Sequence, residues 1–81
     1  MSSISVQLFA RYADLLGASR LEVPSARADS IAEVVCYLRS LPGGDALPER
    51  PFVAVNHAQV GEDYRPQPGD EIALLPPMAG G

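Results

Sequence analysis

Ser30-Ile31-Ala32-Glu33-Val34-Val35-Cys36-Tyr37-Leu38-Arg39-Ser40-Leu41 carries the clearest structural signal in the sequence. Ser30 and Glu33 have capping-box spacing, in which each residue can satisfy a backbone N–H that a helix start leaves without a partner. Ile31, Val34, Val35, Leu38 and Leu41 then fall at i, i+3, i+4, i+7 and i+10, one apolar stripe, and Pro42-Gly43-Gly44 ends it. The spacing predicts one amphipathic helix whose stripe must lie on something flat and apolar. The rest of the chain has to supply that surface.

On the N-terminal side, Ser19-Arg20-Leu21-Glu22-Val23-Pro24 reads as a strand that proline closes. Before it, Arg11 to Leu16 are good helix formers that stop at Gly17, a plausible left-handed cap, so a short helix is predicted there. Ile4-Ser5-Val6-Gln7-Leu8 alternates with the period of a half-buried strand, with Ile4, Val6 and Leu8 inward. On the C-terminal side, Pro42 to Pro51 reads as a surface loop anchored by Leu47. Phe52-Val53-Ala54-Val55-Asn56 is a short strand, and Ala58-Gln59-Val60 can pair back on it across a turn at Asn56-His57. After a loop from Gly61 to Gly69, Glu71-Ile72-Ala73-Leu74-Leu75 forms a last strand with Ile72 and Leu74 inward. Pro76-Pro77 cannot donate to a ladder and stops the sheet. The expected class is α+β: a β-grasp domain over residues 1–75, with one long amphipathic helix across a mixed four- or five-stranded sheet, and a flexible tail over 76–81. A ferredoxin-like fold would need two long helices, and Arg11–Leu16 is too short to supply the second.

Composition narrows the function. At 81 residues, 47% hydrophobic and 20% charged, the chain is sized and built for one globular domain. A net charge of −4 without a basic stripe argues against a nucleic-acid partner. No apolar run reaches membrane-spanning length, and Met1-Ser2-Ser3-Ile4 lacks the layout of a signal peptide, so a cytoplasmic location and no membrane partner are expected. The lone cysteine, Cys36, permits no internal disulfide. All positive charges are arginines and there is no lysine, so no lysine of another copy could accept this chain's C-terminus.

Candidate chemical groups are few. Cys36 falls opposite the apolar stripe with no histidine near it in sequence, which makes it incidental. His57 sits at a turn and is expected to face solvent. Asp70 and Glu71 resemble a carboxylate pair, but after Pro68-Gly69 they read equally as a solvated turn. No acid/base or nucleophile constellation emerges and no metal site is expected, so catalysis by the chain alone is not. Alternation does place Phe9 out of step with Ile4, Val6 and Leu8, and Leu75 and Ala73 out of step with Ile72 and Leu74. Were the first and last strands neighbours, as in a β-grasp sheet, Phe9, Ala73 and Leu75 would make one exposed apolar patch suited to docking a partner.

Three stretches carry a family likeness: Val6-Gln7-Leu8-Phe9-Ala10, Val53-Ala54-Val55-Asn56, and Gly69-Asp70-Glu71 through Leu75-Pro76-Pro77-Met78-Ala79-Gly80-Gly81. Through them the chain resembles the MoaD/ThiS family of ubiquitin-like sulfur carriers, and within it the small subunits of molybdopterin synthase. The resemblance implies that the carboxylate of Gly81 is the working group. An adenylating enzyme would activate it with Mg-ATP, sulfur would displace AMP to give a thiocarboxylate, and the carrier would donate that sulfur to a cyclic pyranopterin phosphate. The implied partners are the adenylating enzyme, a sulfur donor system, and the large synthase subunit in a heterotetramer of two small and two large chains. The carrier itself would bind no cofactor. The same terminal chemistry serves thiazole or cysteine synthesis, and a Urm-like protein modifier would join Gly81 to lysines of targets. Pro76, Pro77, Met78, Ala79 and Gly80 would thread into partner sites: glycines let walls approach the backbone, prolines limit unbound conformers, and six extended residues reach roughly 20 Å.

Overall fold

The structure, a computed structural model, describes residues 3–76. In chain order it contains β1 (Ser3–Leu8), α1 (Arg11–Leu16), β2 (Arg20–Pro24), α2 (Ile31–Arg39), β3 (Phe52–Val55), β4 (Ala58–Val60) and β5 (Ile72–Leu75), with 3₁₀ turns at Ser25–Arg27 and Gly44–Ala46. The five strands form one sheet in the order β2-β1-β5-β3-β4. β1 and β5 run parallel at its centre, and the other pairs are antiparallel. A mixed sheet whose first and last strands are neighbours, crossed by one main helix, is the β-grasp arrangement.

α2 starts where its sequence predicts, with the Ser30 half of the capping box formed. The Glu33 N–H donates to Ser30 Oγ at 3.3 Å, and the two preceding amides are also partnered: Ile31 N–H by the Tyr64 carbonyl at 2.9 Å and Ala32 N–H by that of Glu62 at 3.1 Å. The loop after β4 thus serves as a cap for a helix that precedes it by thirty residues. α2 is shorter than its apolar stripe. It stops at Arg39, where Ser40 and Leu41 N–H groups tighten the last turn onto Tyr37 and Leu38 carbonyls, and Leu41 packs half-buried on the core from beyond the helix end.

The core lies between α2 and one face of the sheet. Ile31, Val34, Val35 and Leu38 of the helix meet Ile4, Val6 and Leu8 of β1, Val23 of β2, Val53 and Val55 of β3, and Ile72 and Leu74 of β5. Each such side chain contributes on the order of 2 kcal/mol through burial. The segment expected to be a surface loop is more tightly held than its composition suggests. Leu47 is fully buried as predicted, but Gly44 is buried too, and a Cβ on Gly44 would collide with the Leu38 carbonyl. Gly43 has φ of 86°, and a Cβ there would meet the Leu15 carbonyl. This glycine pair wedges between the ends of α1 and α2, so it is a packing element as well as a stop signal.

Candidate functional site

The sheet face away from α2 has no cover among the described residues, and its apolar side chains gather at one end. Gln7 pairs in register with Ala73, and Leu8 with Leu74. Phe9 therefore follows at the level of Leu75. On the other side of β5, Phe52 stands opposite Leu75 and Ala54 opposite Ala73. Phe9, Phe52 and Leu75 are the three large hydrophobic side chains left exposed among the described residues, at 44%, 46% and 38%. A shallow hollow lined by Phe9, Ala54, Ala73 and Leu75, with Gln7, His57 and Glu71 at its edge, runs through this patch.

The predicted trio Phe9, Ala73 and Leu75 is thus brought together. Phe52 was missed, although the signal was available: with Val53 and Val55 inward, alternation sends Phe52 and Ala54 outward, but a nearly continuous apolar run hides that period. Pro76, the last described residue, lines a second small hollow with Phe52, Gln59 and Leu75. The chain therefore leaves the sheet beside the patch. Pro77, Met78, Ala79, Gly80 and Gly81 lie outside the described residues.

The far end of β5 is fixed by a polar cluster. Asn56 and His57 take φ of 51° and 73°, the left-handed pair that a two-residue hairpin turn between β3 and β4 requires. From that position Asn56 holds the start of β5 three times. Its N–H donates to the Glu71 carbonyl at 2.9 Å, its Nδ2 donates to Asp70 Oδ1 at 3.0 Å, and its Oδ1 accepts from the Glu71 N–H at 3.0 Å. Asp70 Oδ2 also accepts from the Gln67 N–H and the Tyr64 hydroxyl, both at 2.8 Å. These donors, Gln67 first and Tyr64 next, hold the Asp70 carboxyl below the usual carboxylate range, and the bond to Asp70 raises the Tyr64 phenol. Asp70 is therefore structural, as the turn reading had it. Glu71 stays exposed, 3.7 Å from the exposed ring of His57. On the polar half of the same face, Glu22 accepts from Ser5 Oγ at 2.6 Å and Ser3 Oγ at 2.7 Å, and these bonds lower its pKa.

Cys36 is exposed, on the outer side of α2. No group of three or more His, Cys, Asp or Glu among the described residues could hold a metal ion, and no described helix is long and apolar enough to cross a membrane.

The profile of the ThiS family matches residues 6–81. The chain belongs to the ThiS family. It is accordingly a ubiquitin-like sulfur carrier of the ThiS/MoaD kind, and the members of this family are small non-catalytic proteins. No curated protein sequence matches significantly. Among solved structures, this ThiS-family chain is similar to SAMP1 from Haloferax volcanii, with 24% identity and a TM-score of 0.78 over 99% of this chain and 100% of that one. It is similar to a putative molybdopterin converting factor subunit 1 from Pyrococcus furiosus, with 20% identity and a TM-score of 0.79 over 96% of this chain and 100% of that one. It is also similar to a chain in the complex of subunits 1 and 2 of molybdopterin-converting factor from Helicobacter pylori, with 21% identity and a TM-score of 0.70 over 99% and 100%. At these identities the likeness is one of fold.

Proposed function

We propose that this ThiS-family chain is the sulfur carrier subunit of a molybdopterin synthase, with residues 76–81 as its working tail. The carboxylate of Gly81 attacks the α-phosphate of Mg-ATP on an adenylating enzyme and pyrophosphate leaves. A sulfur nucleophile from the donor system then adds to the acyl carbon and AMP leaves, giving a thiocarboxylate. Adenylation is needed because a carboxylate is a poor electrophile. The thiocarboxylate is a soft nucleophile able to deliver sulfur to the carbon of a cyclic pyranopterin phosphate held by a large subunit, in an assembly of two small and two large chains.

The observation that carries this reading is the apolar patch of Phe9, Phe52, Ala73 and Leu75 at the end of β5 from which the chain departs. A body that docks through this patch presents the following residues directly to its partner. The likeness to a Helicobacter pylori chain solved in complex with subunit 2 of its converting factor supports a partner of that type. Intact-mass measurement after incubation with an adenylating enzyme, Mg-ATP and a sulfur donor tests it. Replacement of one terminal oxygen by sulfur, lost on addition of the large subunit and the cyclic pterin, is expected; an unchanged mass contradicts the carrier role.

A second reading, conjugation to target proteins, is favoured by the likeness to a small archaeal modifier protein of the same fold. It predicts isopeptide bonds between Gly81 and lysines of other proteins. The absence of lysine from this chain forbids lysine-linked chains of its own copies.

A further inference from the structure

Between β1 and α1 the backbone takes a conformation that an L-residue resists. Ala10 has φ of 50° and ψ of −123°, and the Tyr12 N–H donates to the Phe9 carbonyl at 3.0 Å. Those are the dihedrals of the first central position of a type II′ turn, where glycine is the usual residue. A residue with a Cβ persists there only when its surroundings over-determine it. Here they do. Leu8 is held on both sides, in register with Leu74 of β5 and through its N–H to the Ser19 carbonyl at 2.9 Å. Tyr12 is buried in the core, only 4% exposed. The chain must reverse between these two anchors, and the side chain left on the outside of the reversal is Phe9. Phe9 stands between the hollow it shares with Ala73 and Leu75 and a second one bordered by Ser19 and Arg20.

We propose that Ala10 is a positioning residue for the docking face. With Leu8 and Tyr12 anchored, its Cβ confines the turn to one conformer and so keeps Phe9 on the solvent side beside Leu75. Glycine would fit the same turn without strain, yet it would admit the broader set of positive-φ conformers open to a residue with no Cβ, and Phe9 would wander with it. The fold gives up some stability at Ala10 in return for a fixed Phe9. The proposal rests on the docking role of Phe9, but not on the chemistry of the tail.

Chemical ligation can place L-alanine, glycine or D-alanine at position 10 of the full chain. D-alanine is the informative variant, because positive φ is its relaxed conformation and it keeps a Cβ. Both Ala10→Gly and the D-alanine chain should melt a few degrees higher than the natural chain. Backbone order parameters at Phe9 should fall in the glycine chain alone, and affinity for the purified large subunit of molybdopterin synthase should drop several-fold in that chain alone. An Ala10→Gly chain with unchanged Phe9 order overturns the proposal, as does a D-alanine chain that binds more weakly than L-alanine, since that would mean the strain is released on docking. If the natural chain fails to bind the large subunit at all, the docking reading falls, while melting and Phe9 order still decide the role of Ala10.

Discussion

Along β3 and β5 both faces of the sheet carry apolar side chains, and the two sets have opposite fates. On the inner face Leu74, Ile72, Val53 and Val55 are buried under α2, while one residue along the same strands Leu75 and Phe52 stand 38% and 46% exposed. Both strands present apolar side chains to each face, but among the described residues there is one long helix, and it covers one face only. The difference teaches where to look for function. Apolar surface that the chain covers itself is fold, and the apolar surface that it gathers and leaves bare is where we propose the interface lies.

The largest effects are expected on the inner face. Val34→Asp or Leu38→Asp should unfold the domain, because the introduced carboxylate is buried in the core without a partner at several kcal/mol; loss of the cooperative thermal transition is the expected result. Gly44→Ala should also be severe for so small a change. Its methyl group has no room beside the Leu38 carbonyl, and overpacking of this kind costs about 1–3 kcal/mol. A melting curve unaltered by Gly44→Ala would contradict the described wedge.

From the outside the expected effects fall on binding. Phe9→Asp and Phe52→Asp should leave the melting temperature close to that of the natural chain while weakening association with the proposed partners, an adenylating enzyme and a large synthase subunit, by about 2 kcal/mol or more each, the scale of interface hot spots. Titration calorimetry on both variants checks this, and Phe52, 46% exposed, is the more exposed of the two.

Smaller effects are expected where β5 begins and where α2 is capped. Asp70 has its folded-state pKa lowered by Gln67, Tyr64 and Asn56, so its contribution to stability is present above its unfolded value and lost as pH falls through the folded one. Asp70→Asn should therefore melt lower than the natural chain at neutral pH and show a flatter decline below about pH 4. Ser30→Ala should cost about 1 kcal/mol. Glu33→Ala should cost less, because the observed cap bond runs from the Glu33 backbone N–H to Ser30 Oγ.

Much of the fold could be read from local pattern. Ser30 and the stripe from Ile31 to Leu38 announced α2, alternation assigned the faces of β1 and β5, and Gly17 closed α1 with φ of 73° as a left-handed cap. What escaped depends on distance. Nothing local in Tyr64 or Glu62 says that their carbonyls cap a helix thirty residues earlier, and nothing in Gly43-Gly44 says that two carbonyls press against them. Asp70 shows the same limit: its turn was legible, but its bond to Asn56 is set by the antiparallel pairing of β3 with β5. The exposure of Phe9 and Leu75 was legible because alternation puts them out of step, whereas Phe52 was masked by Val53 and Val55 beside it. Ala10 gave no signal, since alanine is unremarkable in sequence and only its dihedrals set it apart.

The most direct test compares two adjacent residues of β5. Leu74 is fully buried against α2 and Leu75 faces solvent beside Phe52, so one substitution placed at each samples the two faces in turn. Melting temperature and affinity for the large synthase subunit should be measured for Leu74→Asp and Leu75→Asp side by side. Leu74→Asp should abolish the folded state, while Leu75→Asp should melt like the natural chain and lose affinity for the proposed partner. Equal losses of stability in the two variants, or full affinity in Leu75→Asp, would contradict this division between the two faces.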